Sequence, residues 1–154
     1  MGELHAETAL AAHDVRMFVF QHAASTGRVP QAPQISQALG CAEGEVKQVL
    51  RQLATEKVII LAPNDGDIWA ANPFCAVPSG FRVEAAGNRY WGICIWDAMG
   101  IVAALGGDGK ISAPCGDCGE IMHIEIHDRK ILKSEGVVHF AIPAHNWWEN
   151  IGFT

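Results

Sequence analysis

The chain is 154 residues long, which suits one domain or one domain with a small lobe attached, and at 49% hydrophobic against 18% charged it can bury a sizeable core rather than stay disordered. Eleven Lys and Arg stand against seventeen Asp and Glu, a net charge of −6, and an acidic surface repels phosphate backbones, so nucleic acid is disfavoured as a partner. No apolar run approaches the roughly 20 residues of a membrane span. The polar, acidic start MGELHAETALAAHDVR is not a signal region, so a cytoplasmic protein without membrane association is expected.

In chain order, residues 8–24 (TALAAHDVRMFVFQHAA) predict a helix, with Leu10, Val15, Phe18 and Val19 at helical spacing and Gly27, Pro30 and Pro33 breaking it. QISQALG predicts a short second helix that Gly40 stops. EGEVKQVLRQLATEKV predicts a third, with Val46, Val49, Leu50 and Leu53 on one stripe. VIILA and DIWAA flank Pro63-Asn64-Asp65-Gly66, a strong hairpin signal. Three helices and a hairpin outline a winged helix-turn-helix-like lobe over residues 1–71. Residues 1–70 hold five Lys/Arg against eight Asp/Glu, net −3, whereas a DNA reader shows a basic face. The competing reading is a helical lobe that supports the next domain.

Residues 72–80, NPFCAVPSG, predict a proline-bounded linker. Beyond it, FRVEA and RYWGI flank Ala86-Gly87-Asn88 as a second hairpin, and CIWDAMGIVAALGG predicts a buried helix ended by Gly106-Gly107. KISAPC, IMHIEIHD and VVHFAIP alternate as strands do, and AHNWWENIGFT opens a helix at Asn146. The expected fold class is α+β: the helical lobe, then a mixed β-sheet domain over 81–154 packed on a buried helix.

The chemistry concentrates in WGICIWDAMGI, residues 91–101, where Cys94 and Asp97 are the only reactive side chains in an oily run. On a helix, positions i and i+3 share a face, so thiol and carboxylate point the same way. A carboxyl in an apolar pocket has its pKa raised and can hold a proton near neutrality. The bland alternative is a core cysteine beside a helix-start carboxylate. Cys115 and Cys118 form a glycine-flanked CxxC turn, half of a zinc knuckle without its other half, and suit a soft metal or a redox pair as well as two plain thiols in a turn. His123 and His127 share a strand face without implying a metal. Cys75, in the linker, is incidental unless its loop lends a third sulfur, and Cys41 reads as packing. Trp91, Trp96, Trp147 and Trp148 predict a dry, aromatic-walled pocket. The five cysteines, in a reducing compartment, read as thiols before disulfides.

FRVEAAGNRYWGICIWDAMGIVAALGG, preceded by the helical lobe and proline-rich linker and followed by KISAPC, resembles the alkylmercury lyases. The resemblance covers nearly the whole chain and is most specific over 72–120. It implies cleavage of carbon–mercury bonds by protonolysis, using a C-x-x-D pair at the start of a buried helix, which Cys94 and Asp97 match, and a second catalytic cysteine further on. It also implies that Cys115 is the family's additional cysteine after the helix, usually given a structural role, whereas Cys118 has no counterpart. The second catalytic cysteine follows a segment resembling AIPAHNWWENIGF. Here Thr154 ends the sequence at that point, so a diverged or C-terminally truncated member, incomplete at its C-terminus, is expected.

The resemblance implies no required cofactor, with mercury(II) or another soft metal as substrate or product ligand at Cys94 and Asp97; the CxxC spacing adds Cys115 and Cys118 as candidate metal ligands. The expected partner is a small organometallic substrate or a soft metal ion. Two other functions stay open at this point: a thiol-based metal binder without turnover, and a metal-responsive winged-helix regulator.

Overall fold

The computed structural model describes residues 11–63 and 66–151; Leu10, the Asn64-Asp65 turn and Thr154 lie outside them. Helix α1, Ala12–Thr26, buries Val15, Val19 and Ala23, one residue per turn along a single stripe. It ends at Gly27, whose left-handed φ of 74° only glycine adopts cheaply and where a Cβ would collide with the carbonyl of Arg89. Helix α2, Ala32–Leu39, starts with Pro33 in its first turn, where the missing N–H costs nothing. Helix α3, Glu43–Thr55, buries the expected stripe of Val46, Val49, Leu50 and Leu53.

Strands β1 (Ile60–Leu61) and β2 (Ile68–Ala71) pair antiparallel, as the hairpin signal predicts. The proline-bounded stretch is not a free-running linker: Phe74–Cys75 forms β3 and pairs antiparallel with β2 across the two-residue turn Asn72-Pro73.

The second sheet comprises β4 (Phe81–Ala85), β5 (Asn88–Gly92), β6 (Gly109–Pro114), β7 (Ile121–His127) and β8 (Lys130–Ser134), in the order β5-β4-β6-β7-β8. Every pairing in it is antiparallel, which corrects the expectation of a mixed sheet. Helix α4, Ile95–Ala104, packs on β4, β5 and β6. VVHFAIP is not a strand; the fifth strand is KILKS, exposed at every position, and Val137 is 91% exposed. A lysine-bearing edge strand has no buried face to impose alternation, so its pattern is silent while the unpaired apolar run imitates a strand. The last element is a 3-10 helix, Ala144–Glu149, two residues earlier than expected.

Lobe and sheet share one continuous core that runs from Val15 and Val19 through Leu50 and Phe74 to Ile101 and Ile124. Tyr90 is its largest fully buried side chain; its ring lies 5.7 Å from that of Phe74 and its hydroxyl donates to the Ala24 carbonyl at 2.7 Å. Asn88 Nδ2 likewise donates to the Ser25 carbonyl at 3.0 Å. The end of α1 is therefore bonded to the hairpin whose second strand leads into α4. No helix among the described residues is long and apolar enough to cross a membrane.

Candidate active site

Strand β5 ends at Gly92, and two residues later the chain turns into α4. The turn demands glycine: a Cβ on Gly92 would stand 2.8 Å from the Ala98 nitrogen and 3.0 Å from the Cys94 carbonyl. Cys94 takes the N-cap position with extended backbone, φ −138°, ψ −178°, and its carbonyl accepts the first helical bond from Ala98 N at 3.0 Å. Asp97 is the third residue of the helix. The two side chains meet as those of the N-cap and N3 residues, not as two members of a running helix.

The Cys94 thiol donates to Asp97 Oδ2 at 3.6 Å. Asp97 is only 8% exposed, the one charged residue in the described core. Burial is the largest influence on its carboxyl and pushes the pKa up; the thiol and the backbone N–H groups of Cys94 and Ile93 pull it back and do not win. Burial also raises the Cys94 pKa, with the Asp97 charge adding to it and the N–H groups of Asp97 and Trp96 opposing. A half-buried thiol and a buried carboxyl thus share a site that favours the protonated form of each.

Two cavities meet at Cys94. One, about 420 Å³, is lined by Cys94, Asp97, Asn72 and the indoles of Trp96, Trp147 and Trp148. Trp96 and Trp147 stand 6.5 Å apart edge to face, and Phe140 lies 5.2 Å from Trp147, so the wall is aromatic as expected. Asn72 Oδ1 is buried with no hydrogen-bond partner; nothing in the sequence marked this residue, because its place in the cavity depends on the β2–β3 turn. The second cavity, about 700 Å³, is lined by Cys94, Cys115, Met122 and His139. A further concavity of about 800 Å³ is bordered by Glu84, Arg89, Lys110 and Glu125 and by no thiol.

Cys115 and Cys118 lie in the β6–β7 turn, closed by Cys115 N to Glu120 O at 2.8 Å and Gly119 N to Cys115 O at 2.9 Å. The backbone N–H of Cys118, then that of Asp117 and the Cys118 thiol, lower the Cys115 pKa, opposite to the shift at Cys94. Cys75 is buried against the Trp69 carbonyl at 3.7 Å, its pKa raised by burial and further by the Asp97 charge. Cys41 is half-buried at the end of α2. His123 faces Ser112 Oγ at 3.2 Å and His127 faces Asp108 at 3.2 Å, so neither meets a thiol. Asp108, His127 and Asp128 bring ligand atoms within 4.8 Å of one another, all exposed; among the described residues they are the one such group of three, so the four expected metal-facing residues divide into two pairs.

Residues 74–154 match the model of a protein family described as alkylmercury lyase. Among solved structures the chain is similar to the crystal structure of the mercury-bound form of MerB2, at 20% identity and a TM-score of 0.61, over 80% of this chain and 58% of that one. The chain thus spans little more than half of that protein's length, and at this identity the likeness shows the fold. No curated protein matches the sequence.

Proposed function

This chain belongs to the alkylmercury lyase family, and from that premise we propose that it cleaves carbon–mercury bonds by protonolysis, with Cys94 capturing the metal and Asp97 carrying the proton. The observation that carries the reading is the 3.6 Å contact between the Cys94 thiol and a carboxylate that is itself buried. Mercury(II) is soft and prefers thiolate. As an organomercurial cation bonds to the sulfur, the thiol proton passes along the existing hydrogen bond to Asp97. The carboxylic acid then delivers that proton to the mercury-bound carbon, the carbon–mercury bond breaks, and the hydrocarbon leaves with Hg(II) still on sulfur. The carboxylate is restored, so atoms and charge balance over the two steps.

Burial serves both steps. It makes Asp97 a strong enough base to hold the proton and keeps the acid neutral until carbon takes it. The indoles of Trp96, Trp147 and Trp148 give the organic group an aromatic wall. Mercury is bound in the MerB2 structure, which supports a mercury compound as the ligand of this fold.

We read residues 12–75 as a winged-helix-like lobe and assign it a supporting role. Its core is continuous with that of the sheet, and Tyr90 and Asn88 bond it to the site-bearing hairpin. Its acidic balance disfavours a DNA-reading regulator. The experiment is incubation of the protein with phenylmercury and measurement of benzene. Catalytic or stoichiometric benzene supports the reading; tight mercury retention with no benzene overturns it in favour of a binding protein.

A further inference from the structure

We propose that the Cys115–Cys118 turn is a second mercury site, a dithiol that takes Hg(II) off Cys94 through the cavity the two share. The inference rests on the lyase reading for the origin of its Hg(II), but the site itself can be tested with the inorganic ion.

Protonolysis leaves a product problem. Hg(II) stays on Cys94, in a pocket walled by apolar and aromatic groups, and a thiolate–mercury bond is released by exchange with an incoming thiolate rather than by simple dissociation. The incoming sulfur must reach the metal. Cys75 is buried and bonded to a carbonyl. Cys115 instead borders the same cavity of about 700 Å³ as Cys94.

The turn is formed in advance of any metal. Bonds from Cys115 N to Glu120 O and from Gly119 N to Cys115 O close it, and Gly119 takes a left-handed φ of 76°. The Cys115 and Cys118 side chains interact, so both thiols sit on this one closed turn. Among the described residues no third Cys, His, Asp or Glu ligand atom joins them. That donor set selects between metals. Structural zinc takes four protein ligands, usually tetrahedral, whereas Hg(II) is satisfied by two thiolates in line.

The exchange balances without redox chemistry. The Cys115 thiolate bonds to mercury as the Cys94–mercury bond breaks; Cys118 then bonds to mercury, and its proton is taken by the Cys94 sulfur. The sum is a neutral Hg(II) dithiolate on the turn, Cys94 back as thiol, and mercury at the same oxidation state throughout. Cys94 beside Asp97 is thereby ready for a second substrate.

The test uses the full chain with mercuric chloride and a competing monothiol, followed by dialysis and metal analysis. Cys94→Ser should retain about one equivalent of Hg(II) and almost no Zn(II), and adding Cys115→Ser and Cys118→Ser to it should abolish that retention. Circular dichroism checks that each variant is folded, and Cys118→Ser alone, at an exposed position, should weaken retention at least tenfold if both sulfurs are ligands. With phenylmercury and no added thiol, wild type should release about two equivalents of benzene and the Cys115→Ser/Cys118→Ser form about one, because the second substrate needs a cleared Cys94. Loss of Hg(II) from the Cys94→Ser form, or retention that survives removal of both turn cysteines, overturns the proposal. Equal benzene from wild type and the double variant overturns the transfer step. Absence of benzene from both sinks the lyase reading, and the mercuric chloride result alone then decides the dithiol.

Discussion

The Cys94 thiol and the Asp97 carboxylate stand 3.6 Å apart as the cap and the third residue of one helix, and the helix start that brings them together also buries the acid. Helix formation, desolvation and the proposed proton transfer therefore depend on the same three-residue spacing, and replacing either residue separates them.

Cys94→Ser should abolish hydrocarbon release and leave the fold intact. Serine keeps the volume and is a good N-cap, where the thiol makes no cap bond, so stability should hold or rise by up to about 1 kcal/mol. Thermal unfolding together with benzene release from phenylmercury checks both halves; a destabilised variant would mean the thiol is core packing.

Asp97→Asn should preserve mercury capture and cut hydrocarbon release by roughly 10² to 10⁴, since an amide accepts the same backbone bonds but supplies no proton. Single-turnover benzene release with phenylmercury bound to the variant is the measurement. Release at the wild-type rate would reduce Asp97 to a helix-start carboxylate.

The same substitution carries a signature in pH. The folded-state pKa of Asp97 is raised by burial, so between the ordinary carboxylate value and the raised one the folded protein binds a proton that the unfolded chain has lost. Stability must therefore fall as pH rises through that window, and above it the buried charge is a standing cost. Asp97→Asn should remove this component of the slope and be more stable than wild type at neutral pH. Melting temperatures of the two forms across that window give the comparison, and parallel curves would show that the carboxyl is not perturbed.

Gly92→Ala should disable the site without touching either reactive group. Its Cβ would press on the Ala98 nitrogen at 2.8 Å and the Cys94 carbonyl at 3.0 Å, both backbone atoms at the head of α4. Overpacking of this kind costs about 1 to 3 kcal/mol, and a shift of the helix start moves sulfur and carboxylate apart. Mercury capture that survives with hydrocarbon release lost would be the expected pattern.

The sequence was most informative where chemistry and local structure coincide. C-x-x-D at the mouth of an apolar run marks both a helix start and a thiol–carboxyl contact, and the α3 stripe of Val46, Val49, Leu50 and Leu53 repeats with the helix. It was least informative where partners are distant in the chain. Val137 and Val138 look like a strand yet pair with nothing, while the polar Lys130–Ser134 is recruited by β7 at an exposed edge. The Asp-Gly hairpin was legible but the β2–β3 pairing was not, because proline at position 73 reads as a break whether or not the chain turns back. Asn72 and the meeting of two cavities at Cys94 follow from that turn and from the β6–β7 turn together, which no single stretch encodes.

The hydroxyl of Tyr90 has a reach beyond its own strand. By holding the Ala24 carbonyl at 2.7 Å from within the core, it clamps the last turn of α1 to the strand that ends at Gly92. Tyr90→Phe would leave that carbonyl without its donor, a loss of about 1 to 3 kcal/mol. Melting the helices and dismantling the Cys94–Asp97 pair then become one event, so denaturation followed through the far-ultraviolet signal of the helices and through loss of hydrocarbon release should give superimposable curves. In that sense the helical lobe is the part of the protein that decides the temperature at which the proposed chemistry stops.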